Sequence, residues 1–210
     1  MTVAVPGAGT LLKLLTGLVL FGTGLWLGLV SGLGVGPWDV LTGGVSEQLG
    51  TSFGRTAIGV SVVVLLVAMA AGVRPGLGTL LNVVVVGVTV DVLLTSALLA
   101  DLGDGPVLLR LGVVVLGIAT VAVGSALYLG AHLGPGPRDG LMVAISRRTG
   151  WGVGLARAVL ECGVLVVGAA LGGPVGIGTV LFALGIGPAV QTAFRLLRQT
   201  PSRPVVESAA

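Results

Sequence analysis

The sequence predicts an all-α membrane protein: six transmembrane helices arranged as two inverted three-span repeats, each with a short re-entrant or interfacial helix. Three observations predict it. Only 9% of the 210 residues are charged and 54% are hydrophobic, far from the quarter-charged composition of a soluble domain. The apolar residues gather into runs that approach the ~20 residues needed to cross a bilayer, without the period-two alternation of a barrel strand. The chain also repeats itself at an offset of one hundred positions.

Taken in order, the spans are expected at about residues 12–30, 53–73, 77–99, 107–130, 152–172 and 176–197. Lys13 ahead of the first apolar run suggests a signal peptide, but no small-residue cleavage pattern follows Val30, so this run reads as a retained span. An even number of spans puts both termini on one side. Lys13, Arg74, Arg138, Arg147, Arg148, Arg195 and Arg198 would share that side, while Asp39, Glu47, Asp101 and Asp104 fall opposite. The positive-inside rule makes the basic side, with both termini, cytoplasmic. The net charge of +3 is explained by this asymmetry, and no basic face suited to nucleic acid emerges.

The internal match is carried by residues that apolar composition alone would not align. Gly34, Gly36, Pro37, Asp39, Leu41, Ser46 and Gly50 meet Gly134, Gly136, Pro137, Asp139, Leu141, Ser146 and Gly150, and GLGT at 76–79 meets GIGT at 176–179. The repeats divide the chain into residues 1–100 and 101–198, with 199–210 as a disordered cytoplasmic tail. Three spans per copy reverse the direction of the second copy, and the charges independently place GPWD outside and GPRD inside.

Pro37 and Pro137 each open a short helix, since proline suits the first helical turn and apolar residues follow at helical spacing. About a dozen residues at 1.5 Å each cannot cross a 30 Å core. Asp39 and Asp139 fall in the first turn of these helices, where capping and the helix dipole account for a carboxylate without further function. The functional alternative is that the two aspartates flank a central site for a cation, proton or polar solute, because irregular backbone at membrane depth persists where it lines a cavity. Gly78 and Thr79, with Gly178 and Thr179, open the third span of each copy; glycine permits close approach there and threonine can cap.

Further candidates lie inside spans. Asp91 falls some twelve residues into the third span, near mid-membrane, opposite the neutral Gln191 of the second copy, and reads as a proton or cation site or a buried structural bond. Arg157 and Glu161 stand four apart on one helical face, as a structural pair or a substrate-facing one. His132 reads as an interfacial histidine, and Trp26, Trp38, Trp151 and Tyr128 as interface anchors. Cys162 is the only cysteine, so neither a disulfide nor a cysteine metal cluster can form within the chain, and no cofactor is implied.

The pairing of G-x-G-P-x-D-x-L with G-I-G-T and a later G-P, joined by SRRTGWGVGLARAVLE, resembles the bacterial YczE/YyaS/YitT family of integral membrane proteins over about residues 10–197. The resemblance implies a multi-span inner-membrane protein and supplies no reaction. No H-E-x-x-H motif suggests an enzyme, and GTSFG at 50–54 fits G-x-S-x-G without the strand-to-helix context that motif needs. Inverted repeats, short helices and an intramembrane acid favour a secondary transporter or exporter of a small solute, with lipid as its surroundings and a homodimer left open. The alternatives are an accessory membrane protein that holds a cytoplasmic-face partner through Arg138–Arg148 and the tail, or a channel.

Overall fold

A computed structural model describes residues 6–199, which form eight α-helices. They are α1 (Ala8–Ser31), α2 (Pro37–Leu49), α3 (Phe53–Ala70), α4 (Leu77–Thr95), α5 (Val107–Leu129), α6 (Pro137–Thr149), α7 (Val153–Ala170) and α8 (Ile177–Leu196). All but α2 and α6 are long and apolar enough to cross a membrane, and they coincide with the six expected spans. The short helices start at Pro37 and Pro137, as the proline predicts, and each stops at a left-handed glycine, Gly50 or Gly150. Gln199, assigned by sequence to the tail, instead accepts a hydrogen bond from Lys13 Nζ; the rest of that tail lies outside the described residues.

The repeat is visible in the element bounds. Helices α2 and α6 begin and end one hundred residues apart, as do α3 and α7. The centre of the bundle is the α1–α5 crossing, where these two repeat-related helices run antiparallel. A Cβ on Gly17 would lie 2.8 Å from the Gly124 carbonyl, and one on Gly24 would lie 2.6 Å from that of Gly117. In lipid, where apolar side chains gain little by leaving their surroundings, such backbone-to-backbone approach is what holds helices together. Cations close both ends: Lys13 Nζ donates to the Gly130 carbonyl at 2.7 Å, and Arg110 Nε donates to that of Ser31 at 2.7 Å.

Contacts between the halves are reciprocal. Helix α2 packs on α7, and α6 packs on α3. The fit exchanges large and small residues: buried Val40 sits against Gly168 and Gly173, while Gly140 sits against Ala68 and Val73. The two repeated phrases prove to be each other's partners across the halves. The Gly178 N–H donates to the Leu33 carbonyl at 2.7 Å and the Gly78 N–H to that of Leu133 at 2.7 Å. Thr79 Oγ1 accepts from the Gly76 N–H and donates to the Pro135 carbonyl at 2.7 Å, and Thr179 Oγ1 accepts from that of Gly176. Gly34 and Gly134 take φ of +97° and +117° at these junctions, where a side chain would be strained and would strike the opposing GxGT strand of chain.

The reciprocity breaks in one place. Helices α3 and α4 pack tightly, with Gly54 facing the Gly87 carbonyl so closely that neither tolerates a Cβ. Their counterparts α7 and α8 are not packed together, and Gly154 and Gly187 have nothing within 4 Å of a Cβ position. Accordingly α3 buries Gly54, Thr56, Ala57, Val64, Leu65 and Ala68, while α7 buries only Ala156 and Gly168.

Candidate functional site

The starts of α2 and α6 meet at a cavity of about 180 Å³ in the middle of the bundle. Eleven pairs of residues one hundred positions apart line it, from Phe21 and Val121 to Val90 and Val190, so both copies contribute to it alike. Asp39 and Asp139 are both in its wall, with Arg157 and Glu161 from α7. Helix starts aim free N–H groups at this point, and a first-turn carboxylate complements them.

The pairings differ between the halves. Arg138, where the first copy has Trp38, reaches across to Asp39 (Nη2 to Oδ1, 3.4 Å) and lies 5.1 Å from the centre of the Trp38 ring. Arg157 Nε donates to Glu161 Oε1 at 2.8 Å, the pair expected from their spacing, and both side chains face the cavity. Asp139 accepts a hydrogen bond from Tyr128 Oη at 3.3 Å and, among the described residues, has no ion pair. Both aspartates are on the short helices, outside the six spans. Burial pushes both carboxyls above the usual range; Arg138 opposes this at Asp39, and Arg157 and then Tyr128 oppose it at Asp139.

Other candidates stand elsewhere. Asp91 lies in the last turns of α4, where it accepts from Ser52 Oγ at 2.6 Å and from the Gly54 N–H at 2.7 Å. It therefore ties α4 to the start of α3 and does not line the cavity. Gln191 is on the exposed face of α8 and makes no counterpart bond. Gly36, Pro37, Gly136 and Pro137 line the cavity, whereas Gly78, Thr79, Gly178 and Thr179 hold the junctions behind it. Trp26, Trp38 and Tyr128 are buried rather than interfacial, and only Trp151 is exposed among the expected anchors. Hydropathy cannot separate the two positions, since an aromatic at either depth sits in an apolar run. His132 is exposed in the turn after α5.

Sequence reasoning passed over Asn82, Ser125, Tyr128, Phe182 and Arg138 as cavity residues. A signal existed: at 38/138 and 82/182 the repeat keeps register while the residue class changes. Among the described residues no group of three or more His, Cys, Asp or Glu could hold a metal ion.

The junctions and the cavity lie within residues 9–195, the stretch that matches a family model. The chain belongs to the DUF6198 family. That family is described as one of unknown function. An uncharacterized protein of Haemophilus influenzae is 40% identical over 195 residues, covering 93% of this chain and 88% of that one. The uncharacterized membrane protein YczE of Bacillus subtilis is 42% identical over 72 residues, 34% of each chain. The uncharacterized protein YyaS of the same organism is 28% identical over 168 residues, covering 79% of this chain and 82% of that one. No solved structure matches. The DUF6198 chain is thus an integral membrane protein with six apolar helices.

Proposed function

We propose that this protein is a secondary transporter of a small solute, built as two inverted repeats that rock about the central cavity in the cytoplasmic membrane, with both termini inside. The observation that carries the reading is the broken reciprocity of the gates. One pair, α3 and α4, is sealed at Gly54 and Gly87; the equivalent pair, α7 and α8, stands apart at Gly154 and Gly187. A symmetric frame caught in one of two equivalent packings looks like this, and exchanging the packings would move the mouth of the cavity to the opposite face. Antiparallel α1 and α5 and the exchanged short helices support the inverted arrangement.

The accessory-protein reading loses ground in the same geometry. Arg138 of its basic segment is turned into the cavity, and Arg148 Nη2 donates to the Ala70 carbonyl at 3.3 Å.

The test needs no known solute. In a Cys162→Ala background, Gly154→Cys with Gly187→Cys reports closure, because a disulfide needs Cα atoms within about 7 Å. A carrier forms this crosslink in oxidised membranes, read by mass spectrometry of the linked peptides. A chain that never crosslinks there, while still inserted and folded, rules the rocking carrier out.

A further inference from the structure

We propose that the cavity takes a small organic monocation, an amine or guanidinium, in exchange for one proton on Asp139. The proposal rests on the transporter reading for its direction of use, and on three features of the cavity for its chemistry.

The first feature is charge. The lining holds three carboxylates, Asp39, Asp139 and Glu161, against two guanidiniums, Arg138 and Arg157. Both guanidiniums are taken, by Asp39 and by Glu161. Asp139 is the carboxylate left over, with a phenol as its bonded neighbour. A buried net charge is costly, and the lining is neutral only with one further proton on a carboxylate or one further cation. Asp139, which has no ion pair among the described residues and feels Arg157 and Arg138 only at longer range, is the carboxylate placed to take either. An anionic cargo would add a second uncompensated negative charge.

The second feature is the wall. Five of the chain's eight aromatic residues line this one cavity: Phe21, Trp38, Phe53, Tyr128 and Phe182. Aromatic faces attract cations, and the cavity already shows the interaction, with the Arg138 guanidinium over Trp38 at 5.1 Å. The third feature is size. About 180 Å³ lies below the ~300–1,000 Å³ of drug-sized sites, which restricts the cargo to few heavy atoms.

The exchange balances as follows. The Asp139 carboxyl releases its O–H proton to water, and the resulting carboxylate accepts an N–H bond from the cargo, so one positive charge leaves as one arrives. The charged and titratable groups facing Asp139 are Asp39 from α2, Tyr128 from α5, Arg138 on its own helix, and Arg157 and Glu161 from α7. The cavity residues of α1, α3, α4 and α8 add none.

The experiment uses the purified full chain in detergent with methylguanidinium, tetramethylammonium and benzylammonium as probes and benzoate as the anionic control. Thermal unfolding reads binding, and a pH dye in weak buffer reads the proton. At least one cation is expected to raise Tm saturably and to release close to one proton per protein, with affinity rising about tenfold per pH unit while Asp139 is protonated. Asp139→Asn should lose both responses, and Asp139→Glu should keep them. Stabilisation by benzoate and by none of the cations overturns the assignment, as does cation binding that survives Asp139→Asn or releases no proton. If the cations fail while the 154/187 crosslink forms, the substrate class is wrong and the carrier stands. If they bind but the crosslink never forms, the cation site stands and the carrier falls.

Discussion

Asp91→Asn should move the gates without unfolding the protein. Asp91 holds the sealed pair through two short bonds, 2.6 Å from Ser52 Oγ and 2.7 Å from the Gly54 nitrogen. Hydrogen bonds to a charged group contribute about 1.5–3 kcal/mol each, against about 1 for a neutral pair. Asparagine keeps the shape and one acceptor oxygen, and the Ser52 hydroxyl can turn to accept from its amide. The variant therefore loses the charge assistance alone, about 0.5–2 kcal/mol per bond and about 1–4 kcal/mol in all. The Gly54–Gly87 packing is untouched. If opening α3 from α4 is coupled to closing α7 on α8, the closed α7/α8 population rises by at least roughly fivefold, at about 1.4 kcal/mol per factor of ten. The assay is the rate of crosslinking of the Gly154→Cys, Gly187→Cys pair, which follows that population while it is the minor one. A rate unchanged within twofold, in a variant that keeps its Tm, refutes the latch and the coupling together.

Four further outcomes are expected. Gly152→Ser with Gln191→Asp copies the latch onto the α7/α8 gate and should also speed the crosslink, since the second copy has Gly154 where the first has Gly54. Gly24→Val forces a side chain to within 2.6 Å of a carbonyl and should lower stability by about 3 kcal/mol by thermal unfolding, whereas Gly59→Val, with nothing within 4 Å, should stay within about 0.5 kcal/mol. Thr79→Val removes two hydrogen bonds and Thr179→Val one, so Tm should fall further for the first, by the equivalent of about 1 kcal/mol. Reporter fusions that are active only in the cytoplasm should be active at both termini; activity at one alone refutes the inside placement.

Much of this was legible in the sequence because membrane helices announce themselves locally. The six spans appear within a few residues of their expected bounds, and Pro37 and Pro137 mark the short helices to the residue. The register of the repeat was legible because Pro, Asp and Thr are rare enough in an apolar chain to align, with glycines keeping step between them. What was not legible is contact between distant segments. Nothing local says that GIGT at 176–179 docks on the turn at 33–36, or that Arg138 crosses to Asp39 while Asp139 is left to Tyr128. The partners of Asp91 were not legible because a position counted along the helix says nothing of Ser52 and Gly54, more than thirty residues earlier.

A symmetric frame raises its own question: two equivalent packings would have nearly equal energy, so local differences must select the resting one. Three charged features differ between the copies at the gates: Asp91 has Gln191 as its counterpart, Arg55, which donates to Ser52 Oγ at 3.0 Å, has Leu155, and the α7 ion pair has uncharged counterparts in α3. Arg157 and Glu161 replace Ala57 and Ser61 on the open side, but their side chains are 48% and 25% exposed, and such pairs contribute about 0.2–1 kcal/mol. The Asp91 latch, worth about 1–4 kcal/mol beyond neutral bonds, is the larger of these and would select the sealed α3/α4 gate. The same figure sets what a cargo must do. A solute can reverse the gates only by binding the alternate packing more tightly by a similar amount, because a ligand shifts an equilibrium by no more than its difference in affinity. In the open packing Arg138 occupies both Trp38 and Asp39, the two groups best suited to a second cationic contact. Freeing those groups as the gates exchange would give a monocation the tighter grip that the reversal requires.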